Sequence, residues 1–177
     1  TLLFDAVSAR YPPEYPHPDG HLDRYPADRD DAIEPWEAAS RLKLQMVELL
    51  LAHGADVNQR TDFGETPLHT AVDAGDPHVA TLLLARGAQV DGAVEGGNND
   101  SGPRPAVGET ALHYAAKLQQ EEIAKLLLAH GANVNARTEG GATPLVYALT
   151  TSVCASMVVL LLAAGAEMPD LKNRDDI

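Results

Sequence analysis

Short apolar clusters, each ended by a glycine, recur along this chain. VELLLAHGADVN closes at Asn58, TLLLARGAQVD at Asp91, KLLLAHGANVN at Asn135 and VLLLAAGAEMP at Pro169. Their glycines, Gly54, Gly87, Gly131 and Gly165, are 33, 44 and 34 residues apart. A second set of clusters starts with threonine: TLLFDA at Thr1, TPLHTA at Thr66, TALHYA at Thr110 and TPLVYA at Thr143, spaced by 65, 44 and 33. A period of 33 residues with insertions of 32, 11 and 1 accounts for both sets. A period of that length predicts a stacked repeat architecture.

Each unit predicts two short helices. Thr66 is suited to cap a helix N-terminus and Pro67 to its first position, where no N–H is missed. The helix PLHTAVDA then stops at Gly75, and Asp76-Pro77 repeats the start signal for HVATLLLAR, which ends at Gly87. Helices this short are marginal alone, so their leucines must pack against neighbouring repeats. The predicted core is Leu49, Leu50, Leu82, Leu83, Leu126, Leu127, Leu160 and Leu161, with Ala71, Ala115 and Ala148 allowing close helix contact. Each buried leucine contributes roughly 1.5–3 kcal/mol.

GETPLHTAVDAGDPHVATLLLARGAQVD resembles an ankyrin repeat, and three further segments match its frame. The resemblance implies an all-α solenoid of stacked helix-turn-helix units with short β-hairpin fingers. It divides a single domain, 1–177, into repeats of about 1–60 (interrupted by an insertion at 11–42), 61–93, 105–137 (preceded by an insertion at 94–104) and 138–170. Residues 171–177 are a tail or the start of a further repeat. Three positions depart from the family pattern: Gln119 and Ser152 replace helix-ending glycines, and Val146 replaces the usual histidine.

Composition narrows the function. The chain has 177 residues, is 45% apolar, and carries 26 acidic against 13 basic residues, a net charge of −13. That balance disfavours nucleic acid and anionic membranes as partners. No apolar run approaches the roughly 20 residues a spanning helix needs. A single cysteine, Cys154, excludes an internal disulfide and reads as a packing residue in an apolar helix. The expected setting is intracellular, cytoplasmic by default, and the expected state a monomer. With no initial Met and no signal pattern, the chain reads as a mature or excised form.

No constellation of residues points to catalysis. His69 and His113 recur in the first helices without a nucleophile at a matching offset, and read as histidines hydrogen-bonded within their own turn. His53 and His130 precede helix-ending glycines and read as surface groups at helix C-termini. HPDGHLD, with His17, Asp19, His21 and Asp23, has loose spacing and turn-forming Pro18 and Gly20, so no metal site is expected. EGGNNDSGP lacks the features of a phosphate loop or a calcium loop. Asn58 and Asn135 read as turn residues at finger bases. No cofactor is expected.

Binding is what remains. In the ankyrin family, partners lie across the fingers and first helices. Carried over residue by residue, that surface is Arg60, Asp62, Phe63, Glu65, Asp73 and Ala74 in the second repeat. It continues through Val107, Glu109, Lys117 and Leu118 in the third, and Arg137, Glu139, Thr150 and Thr151 in the fourth. The resemblance thus implies a non-catalytic protein-binding module whose partner presents a basic or mixed polar segment. Phe63 is the candidate anchor. The first insertion adds Tyr11, Tyr15, Tyr25 and Trp36, aromatic enough to predict a segment folded back on the first repeat. An alternative reading makes the chain a regulatory or targeting unit within a larger enzyme, channel or transcription regulator. A remote third reading puts a metal or catalytic site in the histidine-containing insertion.

Overall fold

His69 ends one turn of helix away from the threonine that begins it. Its Nδ1 accepts from the Thr66 backbone N–H at 3.1 Å and lies 2.9 Å from the Thr66 hydroxyl. His113 does the same for Thr110, at 3.1 and 3.0 Å. The histidine thereby takes the reciprocal role that Glu or Gln fills in a capping box. Asp76 caps the next helix by accepting from the Val79 N–H at 3.0 Å. At the far ends, the N–H after each helix-ending glycine turns back to a leucine carbonyl: Ala55 to Leu50, Ala88 to Leu83, Ala132 to Leu127 and Ala166 to Leu161.

The computed structural model describes residues 2–8, 35–96, 106–151 and 155–168, of which 35–39 and 151 by backbone alone. Eight helices are described: α1 (Leu2–Ser8), α2 (Pro35–Ala52), α3 (Pro67–Asp73), α4 (Pro77–Ala85), α5 (Ala111–Lys117), α6 (Glu121–Ala129), α7 (Pro144–Thr151) and α8 (Ala155–Ala163). The odd-numbered helices pack in one row, α1 on α3 on α5 on α7. The even-numbered helices pack in a second, α2 on α4 on α6 on α8, and each odd helix also packs on the even helix that follows it. The result is a two-layer, all-α solenoid. α1 and α2 pair in this scheme although 26 residues of sequence separate them.

Between the layers lies a continuous core. Leu68, Leu112 and Leu145 of the first helices and Leu83, Leu127 and Leu161 of the second are fully buried. Leu50, Leu82, Leu126 and Leu160 are only partly buried at the margin of this core. Leu49 corrects the sequence expectation: it is 59% exposed. Its counterparts Leu82, Leu126 and Leu160 each lie on a helix with an even-numbered helix before it, whereas α2 has none among the described residues.

α2 begins at Pro35, so residues 35–42, at the end of the first insertion, are helical and make α2 18 residues long against 9 for α4, α6 and α8. PWEAASRL has proline at the first helical position followed by strong helix formers. Tyr11, Tyr15 and Tyr25 lie outside the described residues, as do Ser152 and Cys154, and Trp36 is described by backbone alone.

Polar groups also join successive repeats. Asn58 donates from Nδ2 to the Gly87 carbonyl at 3.2 Å and accepts from the Gln89 N–H at 2.8 Å. Asn135 makes the same pair with Gly165 and Glu167. Asp91, at the equivalent position of the second repeat, keeps the acceptor half of this pattern and receives the Asn133 N–H at 2.9 Å. The turn-residue reading of Asn58 and Asn135 thus gains a specific geometry. Lys43 of α2 ion-pairs with the cap residue Asp76 at 3.1 Å, and both side chains are largely buried.

Candidate partner-binding surface

Two of the fingers are tight turns closed on themselves. In the second repeat the Thr61 N–H donates to the Glu65 carbonyl and the Gly64 N–H to the Thr61 carbonyl, both at 2.9 Å. Thr138, Gly141 and Ala142 repeat the design at 3.0 and 2.9 Å. Neighbouring fingers touch through their backbones: the Glu139 N–H donates to the Val107 carbonyl at 2.9 Å. A Cβ on Gly64 would lie 2.5 Å from the backbone N of Glu95, so that approach requires glycine. The fingers are therefore linked turns, with no β-strand among the described residues.

A tyrosine-carboxylate ladder ties these fingers to the helices of the next repeat. The Tyr114 hydroxyl on α5 donates to Glu65 Oε1 at 2.8 Å, and the Tyr147 hydroxyl on α7 donates to Glu109 Oε1 at 2.6 Å. Each tyrosine ring also meets a capping histidine edge-on: Tyr114 against His69 with centroids 5.3 Å apart, Tyr147 against His113 at 5.4 Å. Burial, then the bonded glutamate, pushes both hydroxyls well above their ordinary range, so they remain donors.

The ladder changes the standing of two predicted surface residues. Glu109 is 2% exposed and takes both the Tyr147 hydroxyl and the Ala106 N–H, so it is an internal strut and not a surface contact. Glu65 is half-buried and holds Tyr114. Sequence reading missed the two tyrosines, although the signal was present. Glu65 and Glu109 directly precede capping threonines, and Tyr114 and Tyr147 stand four residues after the capping threonines of the next repeat.

Arg60 is also committed within the stack. Its Nη1 donates to the Gly64 carbonyl at 3.1 Å and to the Ala93 carbonyl, 33 residues on, at 2.7 Å, and pairs with Glu95 at 3.2 Å. Arg137 keeps the first of these bonds, to Gly141 at 3.4 Å, and is exposed. Asp62 and Glu139 are exposed at equivalent finger positions, while Phe63 between Asp62 and Gly64 is half-buried. Val107, at the position of Phe63, is half-buried too.

The C-terminal ends of the first helices form the other half of the surface. Asp73, Lys117 and Thr150 occupy one register position on α3, α5 and α7, so the stacking of these helices brings them into a row. All three are exposed, with the Thr150 hydroxyl bonded to the Val146 carbonyl. Beside them run Ala74, half-buried, and Leu118, which is 41% exposed. This row and the finger tips combine alternating charge, exposed Leu118 and half-buried Phe63.

The remaining candidates have structural explanations. His113 Nε2 reaches the Ala142 carbonyl of the next repeat at 3.1 Å, which places its proton on Nε2. His69 is buried in the same way, and desolvation pushes its pKa down to about 4. Burial lowers His113 also. Both are neutral at ordinary pH. His53 and His130 are exposed and reach helix carbonyls four residues back at 2.8 and 2.9 Å. Among the described residues no group of three or more His, Cys, Asp or Glu side chains could hold a metal. No described helix is long and apolar enough to cross a membrane.

Similarity to known proteins fits this architecture. A mouse (Mus musculus) protein phosphatase 1 regulatory subunit 27 is 41% identical over 70 residues, 40% of this chain and 42% of that protein. Its human (Homo sapiens) counterpart is 40% identical over the same shares. The chain thus spans less than half the length of these curated relatives. An ADP-ribosylation factor GTPase-activating protein, AGD4, of Arabidopsis thaliana is 44% identical over 52 residues, 29% of this chain and 7% of that protein. The family model for ankyrin repeats in three copies matches residues 35–93 and 93–172. With that span matched, and with paired helices, capping threonines and linked finger turns recurring in register, the chain belongs to the ankyrin-repeat family.

Proposed function

We propose that this chain is a non-catalytic protein-binding module that takes its partner across the finger tips and the C-terminal ends of α3, α5 and α7. The reading treats the chain as one domain of four repeats, the first split by an insertion. Ankyrin repeats bind other proteins, and two of the relatives carry the name of a regulatory subunit. The observation that carries the site is Leu118, an apolar side chain left exposed in the middle of a polar row. Exposed apolar positions ringed by polar ones are where association gains most from desolvation. Lys117 and Arg137 sit among Asp62, Asp73 and Glu139, so a partner segment of mixed polar character with a net positive charge fits best. The chain's charge of −13 favours such a partner over nucleic acid.

Affinity capture with the intact chain and with Leu118→Asp, run side by side, tests the surface. A protein recovered by the first and lost with the second supports the reading. Equal recovery of every captured protein by both contradicts it.

A regulatory role within a larger polypeptide is the second reading. It is favoured by the Arabidopsis relative, in which the matched stretch is 7% of a protein named for GTPase activation. Both readings use the same surface and differ in whether the partner is in the same polypeptide or another.

A further inference from the structure

The turn between α5 and α6 breaks local rules that its counterpart one repeat earlier obeys. The second repeat builds this turn from Ala74, Gly75 and Asp76: the glycine takes the positive φ, and the Asp76 carboxylate caps α4. The third repeat places Leu118, Gln119 and Gln120 there. Leu118 is 41% exposed where Ala74 is half-buried. Gln119 holds a φ of 57°, a conformation that glycine adopts without strain. Gln120 stands at the N-cap of α6, and its side chain caps nothing.

The two amides are also incompletely satisfied. Gln119 Nε2 donates to the Ala116 carbonyl at 3.1 Å, and Gln120 Nε2 lies against Gly75 of the preceding repeat, 3.2 Å from where a Cβ on that glycine would stand. The Oε1 atoms of both are buried and accept no hydrogen bond among the described residues. Each departure costs stability, and the Gly75-Asp76 turn shows that the repeat folds without them. Strained backbone and unsatisfied polar groups concentrate where a ligand supplies what is missing.

We propose that Gln119 and Gln120 are specificity-determining residues of the partner surface, and that they accept from an arginine side chain of the partner seated beside Leu118. The inference rests on the partner-surface reading and adds to it the group that is recognised. A guanidinium carries its N–H donors in a planar fork, enough to serve two side-chain oxygens, while its aliphatic stem lies along Leu118. Both glutamines are half-buried, and the torsion of a terminal amide is broad, so a modest rotation brings each oxygen to the surface. Lys117, exposed at the end of α5, opposes a cation at this turn. Asp73, at the same register on α3, offsets it, and the chain's charge of −13 favours a positive group.

Peptides selected on the intact chain from a random-sequence display library supply the probe. Those whose binding is lost with Leu118→Asp report on the partner surface, and they should be enriched in arginine. Gln119→Gly and Gln120→Met should each weaken them about tenfold or more, as the loss of a hydrogen bond to a charged donor does. Gln119→Gly should at the same time raise the thermal midpoint of the fold, a separation of stability from binding that a purely structural role would not give. Gln120→Glu keeps an acceptor on a side chain of the same length and should retain or tighten binding. Leu118-dependent peptides that carry no arginine, or that bind Gln119→Gly as tightly as the intact chain, overturn this inference and leave the partner surface standing. The absence of any Leu118-dependent peptide overturns the surface reading, and this inference with it.

Discussion

The Tyr114 hydroxyl donates to the Glu65 carboxylate at 2.8 Å across 49 residues of sequence, joining a finger of one repeat to a helix of the next. The same contact recurs between Tyr147 and Glu109 across 38 residues. The ladder fixes the spacing between fingers and helices, and with it the surface on which Asp62, Phe63, Lys117 and Leu118 stand. That surface is preformed, which lowers the ordering cost of binding.

Tyr114→Phe removes one rung without leaving a void. A hydrogen bond to a charged acceptor contributes about 1.5–3 kcal/mol, less here because Glu65 is half-buried and regains water, so the variant should lose about 1–2 kcal/mol. Tyr147→Phe acts on a different carboxylate, and the double variant should lose close to the sum. Urea unfolding midpoints at constant slope check both.

Acid should weaken the fold through the capping histidines. The folded pKa of His69, about 4, lies below its ordinary 6.5, so between these values the unfolded chain binds a proton that the native chain does not. Stability from this group is complete above pH 6.5 and is lost as pH falls toward 4. The loss is about 2 kcal/mol near pH 5 and about 3 kcal/mol once both states are protonated. His113 contributes in the same direction. Unfolding midpoints measured near pH 7 and near pH 5 should differ accordingly, and His69→Gln should flatten the dependence while lowering stability at neutral pH.

Gln119 is the position where the third repeat departs from its own pattern. Among the described residues it is the sole non-glycine with positive φ, 57°, and it copies the conformation of Gly75, φ 69°, at the same register. Its Oε1 is buried without a partner. A side chain in this region costs roughly 1–2 kcal/mol. Gln119→Gly should therefore raise stability by about 0.5–1 kcal/mol, after the greater chain entropy of glycine is subtracted, as a thermal midpoint shift would show.

Much of the fold was legible because local signals and the repeat agree. Thr66-Pro67, Asp76-Pro77 and the recurring Gly-Ala pairs set helix starts and stops without reference to the rest of the molecule. What failed depended on position in the stack. Leu49 looks like Leu82 in sequence and differs only in having no even-numbered helix before α2 among the described residues. Glu109 looked like a finger-tip carboxylate because the partner that buries it, Tyr147, belongs to another repeat. Arg60 was read as a surface group for a similar reason: its second acceptor, Ala93, lies 33 residues on. The family resemblance implies a face for binding, while side-chain commitments across repeats decide which residues on that face are available.

Hydrogen exchange of the chain alone and saturated with a captured partner tests the central claim most directly. The account predicts that slowing concentrates at the tips of the fingers, around Asp62–Gly64 and Glu139–Gly141, and at the ends of α5 and α7 around Lys117, Leu118 and Thr150. Helices α4 and α6 should exchange as before. Slowing confined to α4 and α6, with the fingers and Leu118 unchanged, would contradict it.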